Sequence, residues 1–165
     1  MKRNICAITA NRADFSRIET ILEALKKRDD VTLQLVVLGS HLLPKKGHTV
    51  DEIRKKGFTA HETVLVKQQD DSPAAMTAAV GAYIEKLTKV FLKLSPDIVV
   101  VPVDRFESLA MGVASALMNI RVAHIQGGEV TGTIDESIRH ALTKLAHLHF
   151  VSTERSRQRV IKMGE

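Results

Sequence analysis

The sequence predicts an α/β fold with a doubly wound, mostly parallel, six-stranded sheet of the Rossmann-like kind, in a single domain over residues 1–165. Strand-like apolar runs alternate with amphipathic helix-like segments along the chain, as in sheets built from βαβ units. One run, residues 98–103, is apolar throughout, which is typical of a parallel strand buried on both faces. The hydrophobic fraction of 44% and the charged fraction of 26% are those of an ordinary globular domain.

Strands are predicted where short apolar runs lie between polar turn residues. In chain order they cover residues 4–10, 32–39, 62–66, 97–103, 121–125 and 148–152. Right-handed crossovers between parallel neighbours would place the intervening helices on the two faces of one sheet.

Helices are predicted between the strands, where apolar residues recur three and four positions apart. They cover residues 14–27, 49–56, 73–94, 106–118, 136–147 and 154–163. The first helix has one apolar face, formed by Ile18, Ile21, Leu22 and Leu25. Ser72 and Pro73 supply a cap and a first-turn residue for the long third helix. The fifth helix has a stripe expected to be buried, formed by Ile138, Leu142 and Leu145.

A ligand site is expected beyond the carboxyl ends of the strands, where the strand order reverses between strands 1 and 4. Polar segments leave the sheet there: NRADFS (11–16), VDRFES (103–108) and the segment that starts at Gln126. Neither a GxGxxG fingerprint after strand 1 nor a GxxxxGK[ST] phosphate loop is present in the sequence. The sequence therefore favours no nicotinamide or flavin cofactor, and we expect none.

Arg12 and Ser16 flank the start of the first helix and admit two interpretations. A helix N-terminus with a guanidinium fork binds phosphate readily. In the other interpretation Asn11 caps the helix, Asp14 is the third-position acid and Arg12 is merely exposed. Spacing alone leaves both open.

Two further segments have the spacing of a capping box, namely Asp104 with Glu107 and Thr133 with Glu136. A capped aspartate at the carboxyl end of a strand would still face the cleft. Asp135 and Arg139 are four positions apart, which is the spacing of an ion pair on a helix surface.

Gly127 and Gly128 stand between a buried strand and a helix, together with Glu129. Paired glycines at such a place predict a close approach of the backbone to a ligand or to another segment. Glu129 and nearby histidines, among them His124, are residue types that bind metals. Their positions in the sequence do not have the short spacing that is typical of metal ligands, so we expect no metal.

Composition and charge favour a small anionic ligand over a nucleic acid. The net charge of +5 comes from short, scattered basic groups, and only 4% of residues are aromatic, too few for base-stacking platforms. The longest apolar run is too short to span a bilayer, and the N-terminus lacks a signal-peptide core. Cys6 is the single cysteine, so no disulfide framework exists; we expect a cytoplasmic protein without a membrane partner.

Four segments together resemble the hydrolysing UDP-N-acetylglucosamine 2-epimerases, and they cover almost the whole chain. They are NRADFS (11–16), VVLGSHLL (36–43), DRFESLAMGVASALMNIRVAHI (104–125) and GGEVTGTIDESIRHALTKLAH (127–147). The resemblance implies the N-terminal half of a GT-B architecture, with the C-terminal UDP-binding domain absent from these 165 residues. It also implies a homo-oligomer, in which the long apolar helix over 74–94 would supply the interface.

The resemblance further implies a UDP-N-acetylglucosamine or related UDP-hexosamine substrate. UDP is lost by anti elimination across C1–C2 to give 2-acetamidoglucal, and water then adds to release N-acetylmannosamine. These steps need a base and an acid, for which carboxylates with tuned pKa values are suited. By motif match, Asp104 and Asp135 are catalytic carboxylates. The UDP-sugar-binding residues implied in the same way are Arg12, Ser16, Arg105, Arg139 and His124.

Two positions depart from the family pattern. Gln126 stands where members usually have a glutamate, and an amide cannot exchange a proton at ordinary pH. Pro102 and Val103 stand where members usually have His-Gly. Glu129 is a further candidate acid or base. Two alternatives therefore stay open: a non-catalytic nucleotide-sugar-binding or dimerisation module that has lost the carboxylate at Gln126, and half of a GT-B glycosyltransferase.

Overall fold

The computed structural model describes residues 2–68 and 70–165 and contains one six-stranded parallel sheet with the strand order β3-β2-β1-β4-β5-β6. The strands are β1 (Arg3–Thr9), β2 (Val31–Leu38), β3 (Glu62–Val64), β4 (Ile98–Pro102), β5 (Arg121–Ile125) and β6 (Leu148–Phe150). The helices are α1 (Arg12–Lys26), α2 (Val50–Lys55), α3 (Pro73–Leu94), α4 (Phe106–Leu117), α5 (Ile134–Leu145) and α6 (Glu154–Lys162). The prediction of a doubly wound sheet is confirmed, with the reversal of strand order between β1 and β4.

Strands β3 and β6 are shorter than predicted, with three residues each. Each lies at an edge of the sheet, where β3 pairs with β2 and β6 pairs with β5. An edge strand has a hydrogen-bond ladder on one side only, so fewer hydrogen bonds extend it, and residues 65–66 and 151–152 lie outside the strands.

Both faces of the central strands are buried. On one face, Cys6, Val99 and Val101 pack against α3, α4 and α5, with core residues that include Leu87, Phe91, Met111 and Leu142. On the other face, Ala7 and Val100 pack with α1 and α2, with core residues that include Phe15, Ile18, Leu22 and Ile53. The unbroken apolar run of β4 is thus explained by burial on both sides, as predicted.

The helix starts confirm two of the predicted caps and correct two others. Asn11 caps α1 through the Asp14 amide (3.0 Å), and Ser72 caps α3 through the Ala75 amide (3.2 Å). The predicted capping box of α4 is wrong, because Arg105 is the capping residue and makes no side-chain cap. Its acid, Glu107, instead accepts a hydrogen bond from the Arg105 side chain.

The predicted capping box of α5 is also wrong. Thr133 occupies the capping position without a side-chain bond to the helix. Glu136 reaches further back and accepts hydrogen bonds from the amides of Thr131 (2.6 Å) and Gly132 (2.7 Å). The loop folds over the first turn of α5, which places earlier amides within reach of the carboxylate.

Part of the sheet face beside α1 is open. An apolar cavity of about 190 Å³ lies over β4, β5 and β6 and is lined by Ile5, Ile21, Leu25, Ile98, Val100, Ala123, Ile125, Leu148 and Phe150. Leu148 is 43% and Phe150 55% exposed, so α1 does not cover this end of the face. Within residues 2–68 and 70–165, no helix is both long and apolar enough to cross a membrane.

This open face predicts dye binding that depends on Phe150. Phe150→Gln should lower the fluorescence of anilinonaphthalene sulfonate added to the folded chain, because the dye binds to contiguous apolar surface. The unfolding free energy should change by less than about 1 kcal/mol, since the ring is half exposed. Ile134→Gln, at an exposed residue on α5 outside this face, is the control. Equal dye fluorescence before and after Phe150→Gln would contradict the prediction.

Candidate active site

The guanidinium of Arg105 is influenced by carboxylates from the segments that follow β1, β4 and β5. Arg105 Nε donates to Glu107 at 3.1 Å. Burial lowers the pKa of Arg105, and the carboxylates of Glu107, Asp14 and Asp135 raise it by more, so the net shift is upward. Asp14 follows β1, and Asp135 lies in the first turn of α5. Carboxylates from three segments thus influence the charge of Arg105, which lies shortly after the carboxyl end of β4.

A buried ion pair connects two of these segments. Arg139 in α5 is 2% exposed and donates through Nη2 to the Asp104 carboxylate. Its Nη1 donates to the carbonyl of Glu129 at 2.6 Å. The predicted surface pair between Asp135 and Arg139 is wrong, because Arg139 lies on the face of α5 that packs on the sheet, beside Ile138 and Leu142.

The paired glycines provide room for other segments of the chain. A Cβ atom on Gly128, whose φ is +80°, would collide with the carbonyl oxygen of Ser156 and meet Val160 at 3.0 Å. A Cβ atom on Gly127 would lie 3.1 Å from Thr143 Oγ1 and 3.2 Å from His124 Nδ1. Of the two predicted reasons for these glycines, the structure shows the close approach of another segment.

His124 lies beneath the site, not in it. It has no exposed surface, Nε2 is 2.8 Å from the carbonyl oxygen of Val103, and Nδ1 is 3.4 Å from Thr143 Oγ1. Burial lowers its pKa to about 4. Both ring nitrogens face other parts of the protein, and the predicted contact between His124 and a nucleotide sugar stays a prediction.

Arg12 and Ser16 remain accessible at the start of α1. The Arg12 side chain is 78% exposed, with Nε 3.5 Å from Glu52, and Ser16 Oγ donates to the Ala13 carbonyl at 2.8 Å. Both residues line a cavity of about 230 Å³. Since Asn11 also caps the helix, both interpretations of this segment fit the structure, and phosphate binding stays a prediction.

Gln126, which stands where the resembling family usually has a glutamate, and the nearby Glu129 are both partly exposed. The Gln126 backbone is left-handed, with φ of +65°, and its amide donates to the Phe150 carbonyl at 2.7 Å. Glu129 offers its carbonyl to Arg139, so its backbone belongs to the network while its side chain remains partly open to solvent. The role of Glu129 as an acid or base stays a prediction.

Sequence reasoning missed the buried His41. Its Nε2 lies 2.9 Å from Thr9 Oγ1 and its Nδ1 2.7 Å from Thr49 Oγ1, and burial lowers its pKa to about 4. The residue stands in the VVLGSHLL segment, but nothing in the spacing identifies threonine partners 32 and 8 positions away.

The burial of Asp14 and its raised pKa were not predicted from the sequence. Asp14 is 2% exposed, and burial is the main cause that raises its pKa to about 6, aided by the nearby Glu107. Hydrogen bonds involving Asn11 and the Ala10 amide lower the pKa but do not offset burial.

Across the residues that the structure describes, no three His, Cys, Asp or Glu side chains are grouped to hold a metal ion.

Comparison with known proteins gives consistent matches. A family model described as UDP-N-acetylglucosamine 2-epimerase matches residues 23–165. The UDP-N,N'-diacetylbacillosamine 2-epimerase (hydrolyzing) of Legionella pneumophila is 40% identical, over 100% of this chain and 44% of that protein. The UDP-N-acetylglucosamine 2-epimerase of Neisseria meningitidis is 36% identical, over 100% of this chain and 43% of that protein. The chain thus spans less than half the length of these curated relatives.

Solved structures share the fold. The crystal structure of the Neisseria meningitidis UDP-GlcNAc 2-epimerase bound to UDP-GlcNAc matches with a TM-score of 0.87 at 20% identity, over 98% of this chain and 44% of that one. The Methanocaldococcus jannaschii UDP-GlcNAc 2-epimerase in complex with UDP-GlcNAc and UDP matches with a TM-score of 0.82 at 20% identity, over 100% of this chain and 44% of that one. These matches agree with the Rossmann-like fold seen in the structure.

Removing the buried arginine should strongly destabilise the chain. Arg139→Met should cost about 3–5 kcal/mol of unfolding free energy, because it leaves the Asp104 carboxylate buried without its partner. Urea denaturation measures the change. Arg157→Met is the matched control, since Arg157 pairs with Glu154 on the surface and should contribute less than about 1 kcal/mol. Equal losses in the two variants would contradict a special role for Arg139.

Three buried groups should make stability depend on pH between about 6.5 and 4. His41 and His124 have pKa values lowered from 6.5 to about 4, so their contribution is complete above pH 6.5 and is lost as the pH falls through 4. Asp14, with a pKa raised from 3.8 to about 6, acts in the opposite sense, because the cost of its ionisation disappears as the pH falls.

Asp14→Asn should therefore make the fall in unfolding free energy on the acid side steeper, by on the order of 3 kcal/mol. Urea denaturation across this pH range measures it. Asp29→Asn, at an exposed residue, is the control. If the curves of the wild type and Asp14→Asn stay parallel, the assignment of Asp14 is wrong.

Proposed function

The chain belongs to the UDP-N-acetylglucosamine 2-epimerase family, and on this premise we propose that it forms the N-terminal, sugar-nucleotide-binding half of a hydrolysing 2-epimerase. The observation that carries the proposal is the buried pairing of Asp104, which follows β4, with Arg139 of α5, the helix that follows β5. Ligands of doubly wound folds bind at the carboxyl edge of the sheet, where the strand order reverses.

The proposed substrate is UDP-N-acetylglucosamine or a related UDP-hexosamine, and the reaction has two steps. In the first, a base takes the proton from C2, the C1–O bond breaks, and UDP leaves as a C1–C2 double bond forms. In the second, water adds its hydroxyl to C1 while an acid returns a proton to C2 on the opposite face, which gives N-acetylmannosamine in the case of UDP-N-acetylglucosamine. Asp104 and Asp135 are proposed as the carboxylates that move these protons.

The surroundings of the two carboxylates suit different demands. Arg139 orients Asp104 through a buried charge-assisted hydrogen bond, which limits its motion relative to a bound sugar. Asp135 is partly exposed in the first turn of α5 and lies within the electrostatic influence of Arg105.

Arg12, Ser16 and Arg105 are proposed to bind the phosphates of UDP. Arg12 and half of the Arg105 side chain are exposed, so both guanidinium groups are open to a ligand. The N-terminus of α1 adds amide donors and the positive end of a helix dipole. A second domain would supply the remaining contacts, and α3 is proposed as the surface through which two copies associate.

Gln126 favours one alternative function, a non-catalytic module that binds nucleotide sugars. Its amide can donate and accept hydrogen bonds but cannot carry a proton between substrate and water. If the third carboxylate is required, Glu129 must replace it or the reaction stops. Substitution at Gln126 therefore separates an active enzyme from a binding module.

The proposed function is tested by joining residues 1–165 to the C-terminal half of the Neisseria meningitidis relative. The chimera should release UDP from UDP-N-acetylglucosamine and form N-acetylmannosamine, as followed by NMR, whereas the chain alone should release none. Asp104→Asn should lower turnover about 10²–10⁴-fold because it removes a proton-transfer group. Asp30→Asn, at an exposed residue paired with Arg28, should leave turnover unchanged. Unaltered turnover in Asp104→Asn would contradict the assigned role.

A second variant of the same chimera tests Gln126. Gln126→Glu should raise UDP release by at least about tenfold, because it restores a group that can exchange protons. Gln158→Glu, on the exposed face of α6, is the control. An equal rate with and without Gln126→Glu would show that this position has no part in proton transfer. UDP binding without any turnover in either form would favour the binding module.

A further inference from the structure

We infer that Val103 and His124 form a positioning pair, in which the buried imidazole of His124 holds Val103 in a strained left-handed turn that directs Asp104 towards Arg139. The structural part of this inference concerns the folded chain alone. Its meaning for catalysis rests on the proposed function, in which Asp104 moves a proton.

The strain resides in the backbone of Val103. This residue follows β4 with φ of +53° and is 8% exposed. Positive φ is an outlier for a β-branched side chain, because the branched Cβ crowds the backbone. Such conformations persist only where the surrounding structure fixes them by several contacts.

Three hydrogen bonds fix this turn. The Val103 amide donates to the Ile125 carbonyl at 3.1 Å, which extends the pairing of β4 with β5 by one residue. The Val103 carbonyl accepts from His124 Nε2 at 2.8 Å. Ser108 Oγ donates to the preceding carbonyl, that of Pro102, at 2.7 Å. Both polar groups of the strained residue are thus held, one by the backbone and one by His124.

The protonation of His124 follows from its partner. A carbonyl oxygen only accepts hydrogen bonds, so Nε2 must carry the proton and Nδ1 is the acceptor in the neutral ring. Burial lowers the pKa of His124 to about 4, which preserves this neutral form at neutral pH. The imidazole therefore acts as a fixed donor to Val103.

The contacts close into a ring that ends at the candidate catalytic residue. On the far side of the imidazole, the Thr143 hydroxyl donates to the Arg139 carbonyl oxygen at 3.0 Å, and its oxygen packs 3.4 Å from His124 Nδ1. The side chain of Arg139 in turn binds Asp104, which directly follows Val103 in the chain. Loss of the His124 contact would release the turn and alter the approach of Asp104 to Arg139.

A double-mutant cycle on the 165-residue chain tests the pair. Glycine keeps the backbone carbonyl that accepts from His124 but adopts positive φ without steric cost, so in Val103→Gly the turn stays formed with or without His124. His124→Phe removes both ring nitrogens and keeps an aromatic ring. We expect His124→Phe to raise the unfolding equilibrium constant at least about tenfold less when Val103 is present than when Val103→Gly accompanies it, because only Val103 has strain to relieve when the turn is released. Equal effects, within about twofold, would overturn the inference.

His41 provides the matched control for this cycle. It is as buried as His124, its two ring nitrogens also contact the protein, and its pKa is also lowered to about 4. His41→Phe should therefore destabilise the chain to the same degree with and without Val103→Gly. Should His124→Phe fail to fold, His124→Gln, which retains an amide donor, replaces it in the cycle with the same criterion.

Two further readouts separate positioning from general stability. The side-chain NMR signals of Arg139 should shift in His124→Phe and return when Val103→Gly is added. In the chimera with the Neisseria meningitidis half, His124→Phe should lower kcat with KM unchanged, and Val103→Gly should restore kcat. A positive cycle without turnover in the chimera would count against the proposed function alone, and turnover without coupling in the cycle would count against this inference alone.

Discussion

The arrangement of the candidate site depends on one buried interaction, the pairing of Arg139 with Asp104. Arg139 is among the largest side chains that are almost fully removed from solvent, and its partners lie in two separate segments after β4 and β5. A buried ion pair contributes little net stability, because removing both charges from water costs about as much as their attraction returns. The ion pair instead fixes the relative positions of the two segments, since neither can move without leaving a charge or a carbonyl unpaired.

The fold was accessible from sequence because its signals are local and repeated. Within residues 2–68 and 70–165, apolar runs and helical spacing predicted all six strands and all six α-helices. The largest misses are two residues, at the ends of β3 and β6, at the start of α1 and at both ends of α5, and the two short 3-10 helices over 39–42 and 44–46 were not predicted. The position of the candidate site stays a prediction, which rests on parallel strands carrying their carboxyl ends to one edge of the sheet.

The contacts within the site were less accessible. Spacing identifies which side chains are neighbours on one helix, so it predicted Asp135 as the partner of Arg139. It also predicted that Asp104 and Glu107 form a capping box at the start of α4. The actual partner, Asp104, lies 35 positions from Arg139 and is reached through the tertiary fold. The departures from the family pattern, Gln126 and Val103, both fall at strand exits with positive φ, where the backbone turns into the site.

Amide hydrogen exchange on the 165-residue chain, with and without Arg139→Met, tests most directly whether this ion pair holds the two segments together. The account predicts that residues 103–105 and 126–129 lose protection together, while the amides at the start of α1 keep theirs. Loss of protection in α5 alone, or an equal loss over the whole chain, would contradict it.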